Sequence, residues 1–132
     1  MEVVVSHLDG ARDRSPEHES AVLAQALCRA ADILQVPDAI LARTIGVSPA
    51  SVSRLRAGAF KLTRKDKAFE LGLLFIRMFR GLDAITGGDD ASSRSWLRTE
   101  NLALRGRPID LVQSIVGLAS VVSYVDARRA RV

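Results

Sequence analysis

Residues 37–58, PDAILARTIGVSPASVSRLRAG, decide how the rest of this 132-residue chain is read. Ile40, Leu41 and Ile45 recur at helical spacing and give a short helix one apolar side. Gly46 can take the positive φ of a tight turn, and Ser48 before Pro49 reads as an N-cap followed by a first helical residue. Two short helices therefore meet at a corner made of Gly46, Val47 and Ser48. On the second helix Val52 and Leu55 turn inward, which leaves Ser48, Ala50, Ser51, Ser53, Arg54 and Arg56 as its outer surface before Gly58 ends it. Short side chains permit close approach to a major groove, hydroxyls suit phosphates and base edges, and arginine suits guanine or backbone oxygens. The pattern is that of a helix-turn-helix.

Charge distribution separates this reading from that of an ordinary αα-corner with solvated charges. The chain's net charge is +4, yet the window from Arg43 to Lys67 alone holds seven basic residues against one acid, Asp66. Such a concentration is the electrostatic footprint of phosphate binding. Lys61, Arg64 and Lys65 follow the reading helix and are expected to hold backbone phosphate, adding affinity and salt dependence but no sequence choice. The order of short helix, glycine turn, serine-capped helix and basic end resembles the Xre/Cro type of helix-turn-helix.

With 48% hydrophobic residues, the chain can build one compact core, or a small DNA-reading domain with a second packed element. The single Cys28 lies in an apolar helical pattern and can make neither a disulfide framework nor a metal site, so no metal and no cofactor is expected. His7 and His18 have no ligand cluster around them and read as surface residues. Nothing assembles a nucleophile, a base and an oxyanion site, so the chain is not expected to be an enzyme. The most apolar segment, Leu71 to Phe79, is too short to span a bilayer and carries Arg77, which points to a cytoplasmic protein.

Four segments follow along the chain. Residues 1–19 are expected as a flexible arm, although Ser15, Pro16 and Glu17 have the form of a helix start. Residues 20–64 form the DNA-binding domain, opening on an amphipathic helix from Ser20 to Gln35 that braces the corner. Residues 65–88 form a long connecting helix whose apolar face exceeds half its circumference. Leaving that face wet is costly, so either the C-terminal half or a second copy covers it. A second copy would use Phe69, Leu73, Phe75, Ile76 and Phe79 for dimerisation and would pair two reading helices on a palindrome. Residues 89–132 follow a break at Gly87 and Gly88. Asp90 or Ser92 caps a helix carrying Trp96 and Leu97, and Asn101 and Gly106 punctuate a loop. A helix from Pro108 is expected to bury Ile109, Leu111, Val112, Ile115 and Val116, to be interrupted or kinked at Gly117, and to run on to Arg128, Arg129 and Arg131.

The stretch WLRTENLALRGRPIDL, residues 96–111, carries the second resemblance through Trp96, Leu97, Arg98, Asn101, Ala103, Leu104, Gly106, Pro108 and Leu111. With the Xre-type corner before it, the chain from about Leu23 onward resembles the Xre/MbcA/ParS antitoxins of RES-Xre toxin–antitoxin systems. Arg107 and Ile109 depart from the small or hydroxyl residues common around that proline. The resemblance implies an all-α fold, an N-terminal Xre/Cro-like helix-turn-helix bundle followed by a small helical toxin-binding domain. It also implies an antitoxin that blocks a RES-domain toxin, an NAD+-consuming protein, while the N-terminal region represses the shared operon. The expected toxin-binding residues are Trp96, Asn101, Leu104, Arg105, Arg107, Tyr124, Arg128 and Arg129. Aromatic and arginine side chains favour interface hot spots, and arginines suit a pocket built for a dinucleotide's phosphates. The competing reading is a stand-alone dimeric repressor whose C-terminal half only dimerises or senses a ligand.

Overall fold

The computed structural model describes residues 15–131, so the expected arm, with His7, lies outside the described residues up to Arg14. Seven helices follow among those described: α1 (Pro16–Leu34), α2 (Asp38–Ile45), α3 (Pro49–Arg56), α4 (Lys67–Ile85), α5 (Asp90–Arg98), α6 (Pro108–Leu111) and α7 (Ile115–Arg129). Ser15 is the cap its sequence suggested: its Oγ accepts from His18 N at 3.2 Å and Pro16 opens α1, so residues 16–19 are helical rather than part of an arm. The corner also forms as read, with Gly46 at φ 76° and Ser48 Oγ accepting from Ser51 N at 3.1 Å.

α4 is the axis of the fold, packed against α1, α2, α5 and, most extensively, α7. Phe75 and Met78 have no exposed surface, and a Cβ on Gly81 would lie 2.3 Å from Val125 Cγ1, so α7 rests almost on the α4 backbone. The wide apolar face of α4 is thus covered within the chain, by α7 and α5 on one side and by α1 and α2 on the other. This corrects the expected dimerisation set: Phe69 and Phe75 are interior, Ile76 and Phe79 are half-buried, and Leu73 alone of the five is exposed.

Both halves share one hydrophobic cluster, in which Leu27, Leu41 and Val52 join Leu97, Leu118 and Val121. Polar contacts reinforce the union at the end of α1, whose last carbonyls lack helical partners. Arg94 Nε donates to Ile33 O at 2.7 Å, and Arg98 donates to Leu34 O at 3.1 Å and Gln35 O at 2.6 Å. Arg43 on α2 donates to Gln113 Oε1 at 3.0 Å.

Two details of the C-terminal half differ from expectation. Asp89, not Asp90 or Ser92, occupies the cap position of α5, and the Ser92 hydroxyl donates to its carboxylate at 2.7 Å. The helix expected from Pro108 ends after one turn, and α7 starts anew with Ser114 Oγ accepting from Gly117 N at 3.0 Å. The break re-aims the chain, so Ile115 and Val116 are exposed rather than buried. Gly117 sits where α7 crosses the end of α6; a Cβ there would lie 1.9 Å from Leu111 O. No helix among the described residues is long and apolar enough to cross a membrane.

Candidate nucleic-acid interface and partner surface

α3 owes its position to a buried seam and an ionic brace. Val52 and Leu55 are buried, anchoring one side of the helix. At its C-terminal end Arg56 lies between two carboxylates: Nη1 and Nη2 donate to Asp32 at 3.1 and 2.8 Å, and Nε and Nη2 to Asp38 Oδ1 at 3.0 and 2.8 Å. Arg56 therefore ties α3 to the end of α1 and the start of α2. It was expected on the DNA surface, and it is exposed there, but its fork already donates to these two carboxylates. The same hydrogen bonding holds the Asp32 carboxyl below its usual range.

The other expected DNA-binding residues divide by what they already touch. Ser48 spends its hydroxyl on the α3 cap and lies 3.0 Å from the hydroxyl of half-buried Ser51. Arg64 donates to Glu19 at 3.0 Å and lies 5.8 Å from the Phe69 ring centroid, so much of its charge is answered within the chain. Ala50, Ser53, Arg54, Lys61 and Lys65 are exposed, and among the described residues none of these three cations has an acidic partner. One cation escaped the sequence reading. Arg29, on the polar face of α1, lines an open groove of about 630 Å³ with Arg56, Gly58 and Lys61. Its helical spacing from Gln25 and Asp32 marked that face as outward, but only the fold brings it beside the loop after α3. Cys28 borders the same groove, its thiol pushed up by burial.

The C-terminal candidates also separate. Trp96 on α5 stacks on Tyr124 of α7 with ring centroids 6.1 Å apart, and the Arg128 guanidinium lies 5.8 Å from the Tyr124 centroid. These three make one half-open aromatic and cationic surface. Asn101 serves the loop itself: its carbonyl accepts from Arg105 N at 2.8 Å and its Oδ1 from Leu104 N at 3.0 Å. Leu104 is half-buried against the core. Both were expected at a partner interface, and both are engaged in shaping the turn. That turn holds Arg105 at φ 62° with its side chain exposed, while Arg107 pairs with Asp110 at 2.9 Å and Arg129 is exposed at the end of α7. Leu102, at the tip of the loop and 90% exposed, was not among the candidates; a leucine between Asn101 and Ala103 carries no signal of exposure in the sequence.

Two family models match the sequence. The Xre-like helix-turn-helix domain of antitoxins covers residues 13–77, and the C-terminal toxin-binding domain of Xre/MbcA/ParS antitoxins covers residues 81–131. Their junction falls inside α4. No curated protein matches the chain.

Proposed function

The chain belongs to the Xre/MbcA/ParS antitoxins, with a DNA-binding helix-turn-helix domain and a toxin-binding domain, and from that premise we propose how its surfaces divide the work. α3 enters the major groove of an operator in the antitoxin's own operon, with Arg54 and Ser53 toward base edges and Ala50 allowing close approach. Lys61 and Lys65 hold backbone phosphate beside it. The C-terminal surface of Trp96, Tyr124 and Arg128, flanked by Arg105 and Arg129, grips a RES-domain toxin, and the arginine-rich end of α7 occupies the toxin's NAD+ pocket in place of dinucleotide phosphates. Two copies act together on a palindromic site, and repression and neutralisation reside in one chain that itself performs no catalysis.

The observation that carries this reading is the contrast within the basic window: Arg56 and Arg64 are neutralised locally, whereas Arg54, Lys61 and Lys65 stand free. A cationic edge kept open beside a rigidly braced helix suits a polyanion. The toxin-binding match favours neutralisation over a repressor whose C-terminal half only dimerises. Fluorescence anisotropy on DNA upstream of the operon, paired with rescue of cells expressing the adjacent toxin gene, tests both halves. Arg54→Glu should abolish operator binding and leave rescue intact. Truncation after Ala127, which keeps the core residue Val125 and the Arg77–Asp126 pair, should do the reverse; unchanged rescue would remove α7's end from the toxin pocket.

A further inference from the structure

The joint between α1 and α2, residues 32–38, is held by arginines from two other helices. α1 ends without a glycine. Gln35 takes the left-handed conformation at φ 55°, which strains an L side chain, and its N–H and that of Val36 return to Asp32 O at 3.1 Å and Ala31 O at 2.8 Å. The next three carbonyls, of Ile33, Leu34 and Gln35, are the ones that Arg94 and Arg98 of α5 take, and Arg98 also donates to Arg94 O at 3.1 Å. Charge at this end is supplied from outside as well. α1 has no basic residue in its last turn and instead places Asp32 there, against the negative end of its own dipole. Arg94 and Arg98, both half-buried, bring the positive charge that the helix lacks. Asp32 and Asp38, the acids that flank the joint in sequence, converge on the single guanidinium of Arg56 from α3.

We infer that Arg94 and Arg98 are positioning residues for operator reading. By taking the last carbonyls of α1 they fix the joint at its strained residue, and so set the direction in which α2 leaves α1. That direction decides whether Asp32 and Asp38 can both reach Arg56, which holds the C-terminal end of the reading helix. A joint free to turn at Gln35 would part the two acids, and Arg56 could keep only one. The hydrogen bonds of Arg94 and Arg98 reach main-chain carbonyls at the end of α1 and within α5, so their influence on α3 runs through the joint. Both arginines lie in the region matched as toxin-binding, residues 81–131, whereas the helix-turn-helix match ends at residue 77; the DNA-reading corner is therefore completed from the other domain. Helical spacing lets one short helix serve both surfaces. Arg94 and Arg98 are four residues apart and share a face, while Trp96, between them, lies on the opposite side and stacks on Tyr124. The inference deepens the operator reading and rests on it for the use made of α3.

The test is fluorescence anisotropy of the full chain on DNA upstream of the operon, run well below each variant's thermal transition, with the Arg56 Nε–H resonance followed by NMR in the absence of DNA. Arg98→Gln should lower operator affinity at least about tenfold and leave the slope of log affinity against log salt unchanged, because no phosphate contact is lost. Its Arg56 resonance should move, although the substituted side chain bonds only carbonyls. Arg98→Lys keeps the charge but not the fork that spans two carbonyls, and should recover only part of the affinity. Arg94→Gln should act in the same direction, and it carries the test if Arg98→Gln does not fold. A folded variant with wild-type affinity, or an Arg56 resonance that stays in place, overturns the proposal, since the arginines would then only stabilise. So does a slope lowered by about one unit and restored in Arg98→Lys, which would make Arg98 a phosphate contact. A wild type that does not bind this DNA fails the operator reading and takes the proposal with it, whereas a wild type that binds while the α5 variants bind equally well fails the proposal alone.

Discussion

Arg54 and Arg56 are two residues apart on α3 and meet different surroundings. Helical periodicity puts both outward, and the sequence offers no way to tell them apart. Asp32 and Asp38, from other elements, single out Arg56 only once α1, α2 and α3 are packed. That difference is measurable. Arg54→Gln should remove about one unit from the slope of log operator affinity against log salt, the loss of one phosphate or base contact. Arg56→Gln should leave the slope unchanged and lower folding stability by about 0.5–1 kcal/mol, a modest figure because the brace is largely solvated; urea midpoints measure it. The brace also has a pH signature. Asp32, with an ordinary pKa of 3.8, is held lower in the folded protein by the Arg56 hydrogen bond. A depressed carboxyl contributes stability above its unfolded value and loses it as pH falls through the folded one. The stability gap between wild type and Arg56→Gln should therefore be full at neutral pH and shrink below pH 3.8.

The helix-turn-helix elements were legible because each boundary has a local chemical cause: Ser15 and Ser48 cap, Pro16 and Pro49 open, and Gly46 turns. The last helix was misread because its new start carries a cap but, unlike α1 and α3, no proline after it to mark the break. Ile109, Val112 and Val116 keep a helical period through Gln113 and Ser114, and periodicity cannot register that the chain changes direction between them. The missed signal was Ser114, a cap three residues before Gly117. Two substitutions weigh its parts. Ser114→Ala should cost about 1 kcal/mol, the usual worth of a serine cap. Gly117→Ala should cost more, since its Cβ would fall 1.9 Å from a backbone carbonyl oxygen that cannot swing aside. Thermal denaturation of the pair should rank them in that order, and equal transitions would show that α7 shifts freely over α6.

At the scale of the whole chain, the sequence divides at Gly87 and Gly88, and the two family matches divide at residues 77–81, yet the buried side chains do not divide at all. Composition marks where a chain can bend; it does not report which apolar faces meet afterwards. Because Val125 of α7 packs on Gly81 of α4 while Leu27 of α1 packs on Gly72 of the same helix, all in one buried cluster, the helix-turn-helix corner and the C-terminal toxin-binding domain share their stability. Unfolding should then be a single transition. Trp96, the only tryptophan, reports on the C-terminal half, and far-ultraviolet circular dichroism reports on all the helices; their urea midpoints should coincide. Leu118→Ala, which empties a fully buried site on α7, should move both midpoints together by the equivalent of about 2–5 kcal/mol. A fragment ending at Gly88 should lose cooperative unfolding, since it exposes the α4 face that α7 covers. Midpoints that part, or a fragment that melts like the intact chain, would mean that the halves are independent and that events on α7 cannot reach α3 through the core.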